Sequence, residues 1–206
     1  MSDFTKIKAN LEQNGFAVST FDTKEEARDY LVSELAGKSV GFGGSRTIDA
    51  LGVYEALEGK SELHWHWKMG IDPDKVEAIV KERDNAMKTD VYLSSANAIS
   101  ETGEIVNIDG AGNRVSSTLW GHDKVIFVIG ANKIEPTYED AVWRARNVAA
   151  PKRAQSVGAK TPCAVKGDKC YDCKSPGRIC RGFVTLWRAM NKHEYEVVLI
   201  DEELGM

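Results

Sequence analysis

Residues 125–129, Val-Ile-Phe-Val-Ile, form an unbroken apolar run. The run is strand-sized and far short of the roughly 20 residues that a membrane helix needs. Its lack of alternation means that both faces of the strand are covered, which places it inside a mainly parallel sheet with layers above and below. That restricts the chain to the α/β class. No other apolar run is longer, so no membrane span is expected.

The rest of the sequence supplies the layers. A helix is predicted from Ser2 to Asn14, closed by Gly15, with a strand over Phe16 to Phe21. Thr23-Lys24-Glu25-Glu26 reads as a capping box, Ala27, Tyr30, Leu31 and Leu35 recur on one helical face, and Gly37 stands where a C-terminal cap belongs. Ser39 to Phe42 is a compact strand, and a helix opening near Thr47 carries Ile48, Leu51 and Leu57. Leu63 to Trp67 alternates with period two, which predicts a strand with Leu63, Trp65 and Trp67 on one face and His64 and His66, half exposed, on the other. Asp72-Pro73 reads as N-cap and first-turn residue of a helix whose Val76, Ile79, Val80 and Met87 face the core. Strands follow at Val91 to Leu93, Glu104 to Ile108 and Lys124 to Ile129, then a helix from Thr137 to Val148 and a further turn or helix from Pro151. Gly182 to Met190 and Tyr195 to Ile200, joined by Asn191-Lys192-His193, read as a C-terminal antiparallel hairpin. His122 is expected to be structural, His193 solvated, and the five tryptophans packed in the core and on sheet faces. With no repeat and no linker-like stretch, the 206 residues read as one α/β domain with a cysteine-rich loop over 162–181.

Composition narrows function by exclusion. A net charge of −4 offers no global attraction to nucleic acid or to an anionic membrane. The polar start, Met1-Ser2-Asp3-Phe4-Thr5-Lys6, lacks the apolar stretch of a secretory signal, so a cytoplasmic location is expected, where thiols stay reduced.

Ligands of open α/β sheets bind beyond the carboxyl ends of the strands. Three segments place polar and small residues there. In Gly43-Gly44-Ser45-Arg46-Thr47 the glycines permit close backbone approach, while Ser45 or Thr47 can cap the helix or bind an anion. Ser94 to Gly103 offers Ser95, an amide at Asn97, a carboxylate at Glu101 and a hydroxyl at Thr102. In Asp109-Gly110-Ala111-Gly112-Asn113-Arg114, turn dipeptides surround an arginine suited to bidentate recognition of a carboxylate or phosphate. Each alone also reads as an ordinary turn. Together with Asn132 and Lys133 they are expected to line one cavity, with Glu101 as candidate general base.

All four cysteines fall in Cys163-x6-Cys170-x2-Cys173-x6-Cys180. The central pair has metal-ligand spacing, and four thiolates can complete a tetrahedral zinc site or hold an iron–sulfur cluster. Two disulfides and free thiols remain open. Lys166, Lys169, Lys174, Arg178 and Arg181 would offset a tetrathiolate's charge. So polar a segment is expected to need a covalent or coordinate staple, with the four sulfurs sharing one site.

Ser-Ala-Asn-Ala-Ile-Ser-Glu-Thr-Gly (95–103), Asp-Gly-Ala-Gly-Asn-Arg (109–114) and Val-Ile-Gly-Ala-Asn-Lys-Ile (128–134), followed by Asn147 to Pro151, Thr161-Pro162-Cys163 and the cysteines to Cys180, make the chain resemble the lactate-utilisation (LUD) domain family over nearly its whole length. That resemblance implies a Rossmann-like parallel sheet with an antiparallel extension, related to sugar-phosphate isomerases and CoA transferases. It also implies a link to lactate-type redox metabolism with iron–sulfur oxidoreductase subunits as partners, and favours a cluster over zinc. In the related transferases a glutamate is the nucleophile, which again singles out Glu101. Two functions follow as expectations. One is a subunit, self-associating or not, that binds a small carboxylate or phosphorylated metabolite. The other is a noncatalytic metabolite sensor whose metal loop is structural.

Overall fold

The computed structural model describes residues 2–70 and 73–206. In chain order, α1 (Thr5–Gln13) leads to β1 (Ala17–Phe21), α2 (Lys24–Leu35) to β2 (Ser39–Phe42), and the short helices α3 (Arg46–Leu51) and α4 (Val53–Leu57) to β3 (Glu62–His64). After α5 (Val76–Ala86) and β4 (Val91–Ser94) come β5 (Ala98–Ser100), β6 (Ile105–Asp109), α6 (Asn113–Ser117) and β7 (Lys124–Gly130). The chain continues through β8 (Ile134–Glu135), α7 (Tyr138–Arg144), α8 (Ala150–Ser156), α9 (Pro162–Lys166), β9 (Gly182–Leu186) and β10 (Glu194–Ile200).

Six strands in the order β1-β10-β7-β4-β2-β3 make a parallel sheet. β7 is near its middle, with Val125 to Ile129 buried. Successive residues serve opposite layers. Ile126 and Val128 pack under α2, α3 and α4 with Leu31, Leu35, Ile48 and Leu57. Val125, Phe127 and Ile129 face Ile7 and Leu11 of α1 and the inner side of a second sheet, β8-β5-β6-β9. α7 covers the outer side of that second sheet through Ala141, which packs with Ala98 and Val106. The expected mainly parallel α/β architecture with helices on both faces is therefore the one observed.

The C-terminal strands differ from expectation in their pairing. β9 is antiparallel, but to β6, with Val106 opposite Thr185 and Ile108 opposite Phe183. β10 does not form a hairpin with it. It enters the main sheet parallel to β1 and β7, with Val197 opposite Val18 and Phe127. Its residues from Tyr195 to Ile200 are all buried, and a terminal hairpin would leave one face of that run in water.

The predicted capping box is present at α2: Thr23 Oγ1 accepts from the Glu26 amide at 3.3 Å, and Glu26 Oε2 accepts from the Thr23 amide at 3.2 Å. Thr23→Ala removes one half of it and will lower stability by about 1 kcal/mol in urea unfolding.

Three further departures shape the site. β3 ends at His64, and a 3₁₀ turn over His66–Met69 follows, so Trp65 drops into the core, stacked on Phe42 at 5.2 Å, while Trp67 stays half-buried above the sheet. In α5 three of the four residues expected to face the core point outward: Val76 is 59% and Val80 47% exposed, and Met87 just beyond the helix is exposed as well, while Ile79 faces inward. The inward face is Ile79, Glu82, Arg83 and Ala86, which also has helical spacing but carries two charges because it looks onto polar groups. The expected Asp72 cap lies outside the described residues. Finally, the helix expected to end at Val148 runs on through a π-helical turn, Ala145–Ala149, into α8. Pro151 has no N–H to donate and its ring would strike a carbonyl one turn back, and the widened turn accommodates it. Trp120, Trp143 and Trp187 are exposed rather than packed in the core.

Candidate functional site

The loop after β2 leads toward β3 on one side, and the loop after β4 leads toward β7 on the other. Between such strands the connections part and leave a crevice at the carboxyl ends. A cavity of about 330 Å³ opens there, lined among others by Gly44 to Thr47, Ser95 to Asn97, Asp109 to Ala111, Asn113, Arg114 and Lys133. Three strand ends meet at one point: Lys133 Nζ donates to Thr47 Oγ1 at 2.7 Å and to Ser95 Oγ at 3.0 Å.

Convergence of the three predicted segments is thus observed, with differences in detail. Glu101, Thr102 and Gly103 lie off the cavity. They form the turn between β5 and β6, where Glu101 pairs with Lys6 at 2.6 Å and its carbonyl accepts from Asn10 of α1. Gly43 is also off the cavity wall; a Cβ there would come within 2.9 Å of Ser94 Oγ and 3.0 Å of Arg114 Cγ. Gly44 lines the cavity, and its bareness admits the Trp67 indole, whose Nε1 would lie 2.7 Å from an added Cβ. Ser45 caps α3 by accepting from the Ile48 amide. Asn132 supports the wall from behind, its Oδ1 accepting from the Leu204 amide.

Arg114 is more committed than its sequence context suggests. Nε pairs with Asp109 at 3.2 Å, Nη1 donates to Ser95 O and Asn107 Oδ1, and Nη2 donates to Ile108 O and Asn97 Oδ1. Its five donor positions are occupied, so it builds the wall instead of offering a free fork. Asp109 is likewise spent, with Oδ1 accepting from the amides of Ala111 and Gly112. Asn97 Oδ1 accepts from the Ile108 amide at 2.6 Å.

Cations that the motifs did not mark take over the open side. Arg46, Arg83 and Arg153 line the cavity with Lys133, and Asp109 is the one carboxylate side chain among its described lining residues. Arg46 and Arg153 lie 5.3 and 4.9 Å from the Trp67 ring. Burial, with Arg46 and Arg114 nearby, pushes Arg153 below its ordinary value. Arg83 Nε and His66 Nδ1 are buried without a hydrogen-bond partner among the described residues. Burial and the charges of Arg83 and Arg153 bring His66 down to about 4, so it is neutral at pH 7. Burial, reinforced by Arg144 and Arg114, brings Lys133 down to about 7. Charged residues on helices look like solvated surface in a sequence. The signals that would have found these are the 79/82/83/86 spacing of α5 and the position of Arg153 just past the Asn147–Pro151 block.

His64 is held between Glu62 at 3.1 Å and Glu82 at 3.3 Å. His122 is structural as expected, donating through Nδ1 to Thr89 O at 2.7 Å, and His193 is half-buried, its Nδ1 2.9 Å from the His122 carbonyl.

The cysteine loop does not gather as its spacing predicts. Cys163, Cys170, Cys173 and Cys180 are unpaired thiols. Among the described residues no three His, Cys, Asp or Glu side chains are grouped to hold a metal. Polar contacts hold the loop instead: Arg178 donates to the carbonyls of Cys173 and Cys180, the Cys170 amide donates to Asn147 Oδ1, and the Arg181 amide donates to Asp109 O. Ile179 and Cys180 form part of the cavity rim, and a Cβ on Gly110 would sit 2.5 Å from Ile179 O.

The LUD domain profile matches residues 4–200. The chain belongs to the LUD domain family. The crystal structure of a DUF162 family protein from Deinococcus radiodurans is similar to this LUD-domain chain at a TM-score of 0.52 and 13% identity, covering 97% of this chain and 99% of that one, a likeness of fold. No curated protein matches the chain. Among the described residues no helix is long and apolar enough to cross a membrane.

Proposed function

We propose that this LUD-domain chain binds a small anionic metabolite, a carboxylate or a phosphorylated compound, in the cavity beyond β2 and β4. The observation that carries this reading is the charge balance of the wall: four arginines (Arg46, Arg83, Arg114 and Arg153) face one carboxylate side chain, Asp109, which is already paired with Arg114. Like charges gathered in a partly desolvated crevice repel one another, and an anion relieves that repulsion. The buried, unpartnered Nε of Arg83 adds a donor in need of an acceptor. A link to lactate-type metabolism rests on the family's name. The cysteine loop enters this reading as the rim of the cavity, through Ile179 and Cys180.

Isothermal titration of the full chain with lactate, pyruvate and glycerol 3-phosphate is the test. Saturable binding of at least one is expected, weakened about 10- to 100-fold by Arg153→Gln, as for loss of a charge-assisted hydrogen bond. No saturable binding across the panel, or binding indifferent to Arg46→Gln and Arg153→Gln, would overturn the proposal.

A further inference from the structure

Lys133 is 4% exposed, yet among the described residues no carboxylate lies within ion-pair distance of it. Its Nζ has two hydrogen-bond partners, Thr47 Oγ1 and Ser95 Oγ. Both hydroxyl protons are directed elsewhere: Thr47 donates to Leu204 O at 3.3 Å, and Ser95 donates to Thr47 Oγ1 at 3.4 Å. Both oxygens therefore act as acceptors toward the lysine. A neutral amine has two N–H bonds, satisfies both and keeps a lone pair; an ammonium would carry a third N–H for which no acceptor stands among the described residues. An unsatisfied charged donor in a buried site is costly, so the geometry itself favours the neutral form. The lowered proton affinity described above points the same way. A desolvated amine beside other cations is the arrangement that activates lysine as a nucleophile at neutral pH.

We propose that Lys133 captures the carbonyl carbon of an anionic carbonyl compound, a 2-oxo acid or a phosphorylated aldehyde or ketone, as an imine. This inference rests on the anion-binding reading and names its substrate class: Arg46, Arg83 and Arg153 hold the anionic group while the amine addresses the carbonyl. The lone pair of Nζ forms the N–C bond, and the carbonyl π pair moves to oxygen, which takes up a proton. Nitrogen gives up a proton, for which Ser95 Oγ and Thr47 Oγ1 are the adjoining acceptors. The second N–H proton then follows the same relay to the hydroxyl, which leaves as water while the N–H bonding pair closes C=N. One amine and one carbonyl give one imine and one water, with no oxidant or reductant.

The test is reductive trapping. The full chain is incubated with pyruvate, and separately with dihydroxyacetone phosphate, then treated with borohydride and mapped by peptide mass. One saturable adduct at Lys133 is expected, formed at least about tenfold faster than at surface lysines, whose amines are almost fully protonated at pH 7. The pyruvate and dihydroxyacetone phosphate arms report which anion the cavity prefers. Lys133→Arg should abolish the adduct. In the unmodified chain, excess glycerol 3-phosphate or lactate should suppress it at Lys133 while leaving surface labelling unchanged, a control independent of the variant's folding. Binding of those two non-carbonyl anions without any trapping overturns the imine and leaves the anion reading intact, whereas absence of both overturns both. Labelling spread evenly over surface lysines also overturns the imine.

Discussion

Lys124→Met will destabilise the chain by about 3–5 kcal/mol, the usual result of removing one partner of a buried ion pair. Glu196 is 2% exposed and sits on β10, between the edge strand β1 and β7 of the parallel sheet. Its Oε2 lies 2.7 Å from Lys124 Nζ on the neighbouring strand, and its Oε1 accepts from Ser19 Oγ at 2.7 Å and from Tyr30 OH at 2.6 Å. Burial pushes the carboxyl upward, but Lys124, Tyr30 and Ser19 together outweigh it and hold it below its ordinary value. Without Lys124 the sheet would enclose an uncompensated carboxylate, or would have to protonate it at neutral pH. Glu196→Gln keeps an oxygen for the Ser19 and Tyr30 hydroxyls and removes the charge, so the double variant Lys124→Met/Glu196→Gln should recover most of the loss. Urea unfolding of the two single variants and the double gives the coupling directly. Additive effects would show that the pair contributes nothing beyond its separate side chains.

Glu196 also illustrates where sequence reading stops. The parallel core was legible because β2, β4 and β7 are short, continuous apolar runs followed by Gly- or Ser-rich loops, a pattern that only a doubly covered strand requires. For β10 the local pattern is equally apolar, but a turn such as Asn191-Lys192-His193 specifies only that the chain changes direction, not which strand it joins next. The partner is decided by Val18 and Phe127, far away in sequence. α5 departs for a related reason: Val76, Ile79, Val80 and Met87 have helical spacing, and so do Ile79, Glu82, Arg83 and Ala86. Choosing the apolar stripe as the inner one is sound where a helix covers a core, and misleading where it borders a polar cavity.

The site divides along the same line. Thr47, Ser95 and Lys133 were legible because they stand immediately after strands, where topology alone places them together. Arg83 and Arg153 lie within helices whose crossing of the crevice is a tertiary fact. Glu101 was misplaced because Ser100 to Glu104 is a tight turn between β5 and β6 that directs its carboxylate to Lys6 on α1. For the cysteines, spacing permits coordination without compelling it, and the loop also carries hydrogen bonds from Arg178 and to Asn147 that no spacing announces.

The second large effect is a pH dependence of stability that belongs to Lys133 alone. The side chain loses its proton near pH 7 in the folded chain, against 10.5 for an unperturbed lysine. Between those values the unfolded chain carries one more proton than the folded one, so stability rises with pH across the window. Below pH 7 both states are protonated and the whole cost of burying the charge is present; above 10.5 neither is, and the cost is gone. Lys133→Met removes the titration and leaves the Thr47 and Ser95 hydroxyls without their donor, a loss that does not vary with pH over this range. The stability of the Met variant relative to the original chain should therefore be highest at pH 6.5 to 7. It should fall by about 1 kcal/mol per pH unit above that, amounting to a few kcal/mol by pH 9.5. Urea unfolding of both chains at half-unit steps measures the difference, in which the titration of cysteines and tyrosines common to both cancels. A difference that stays flat from pH 7 to 9.5 would mean that Lys133 remains an ammonium in the folded chain, held by an acceptor other than the two hydroxyls, and the nucleophile would be lost along with it.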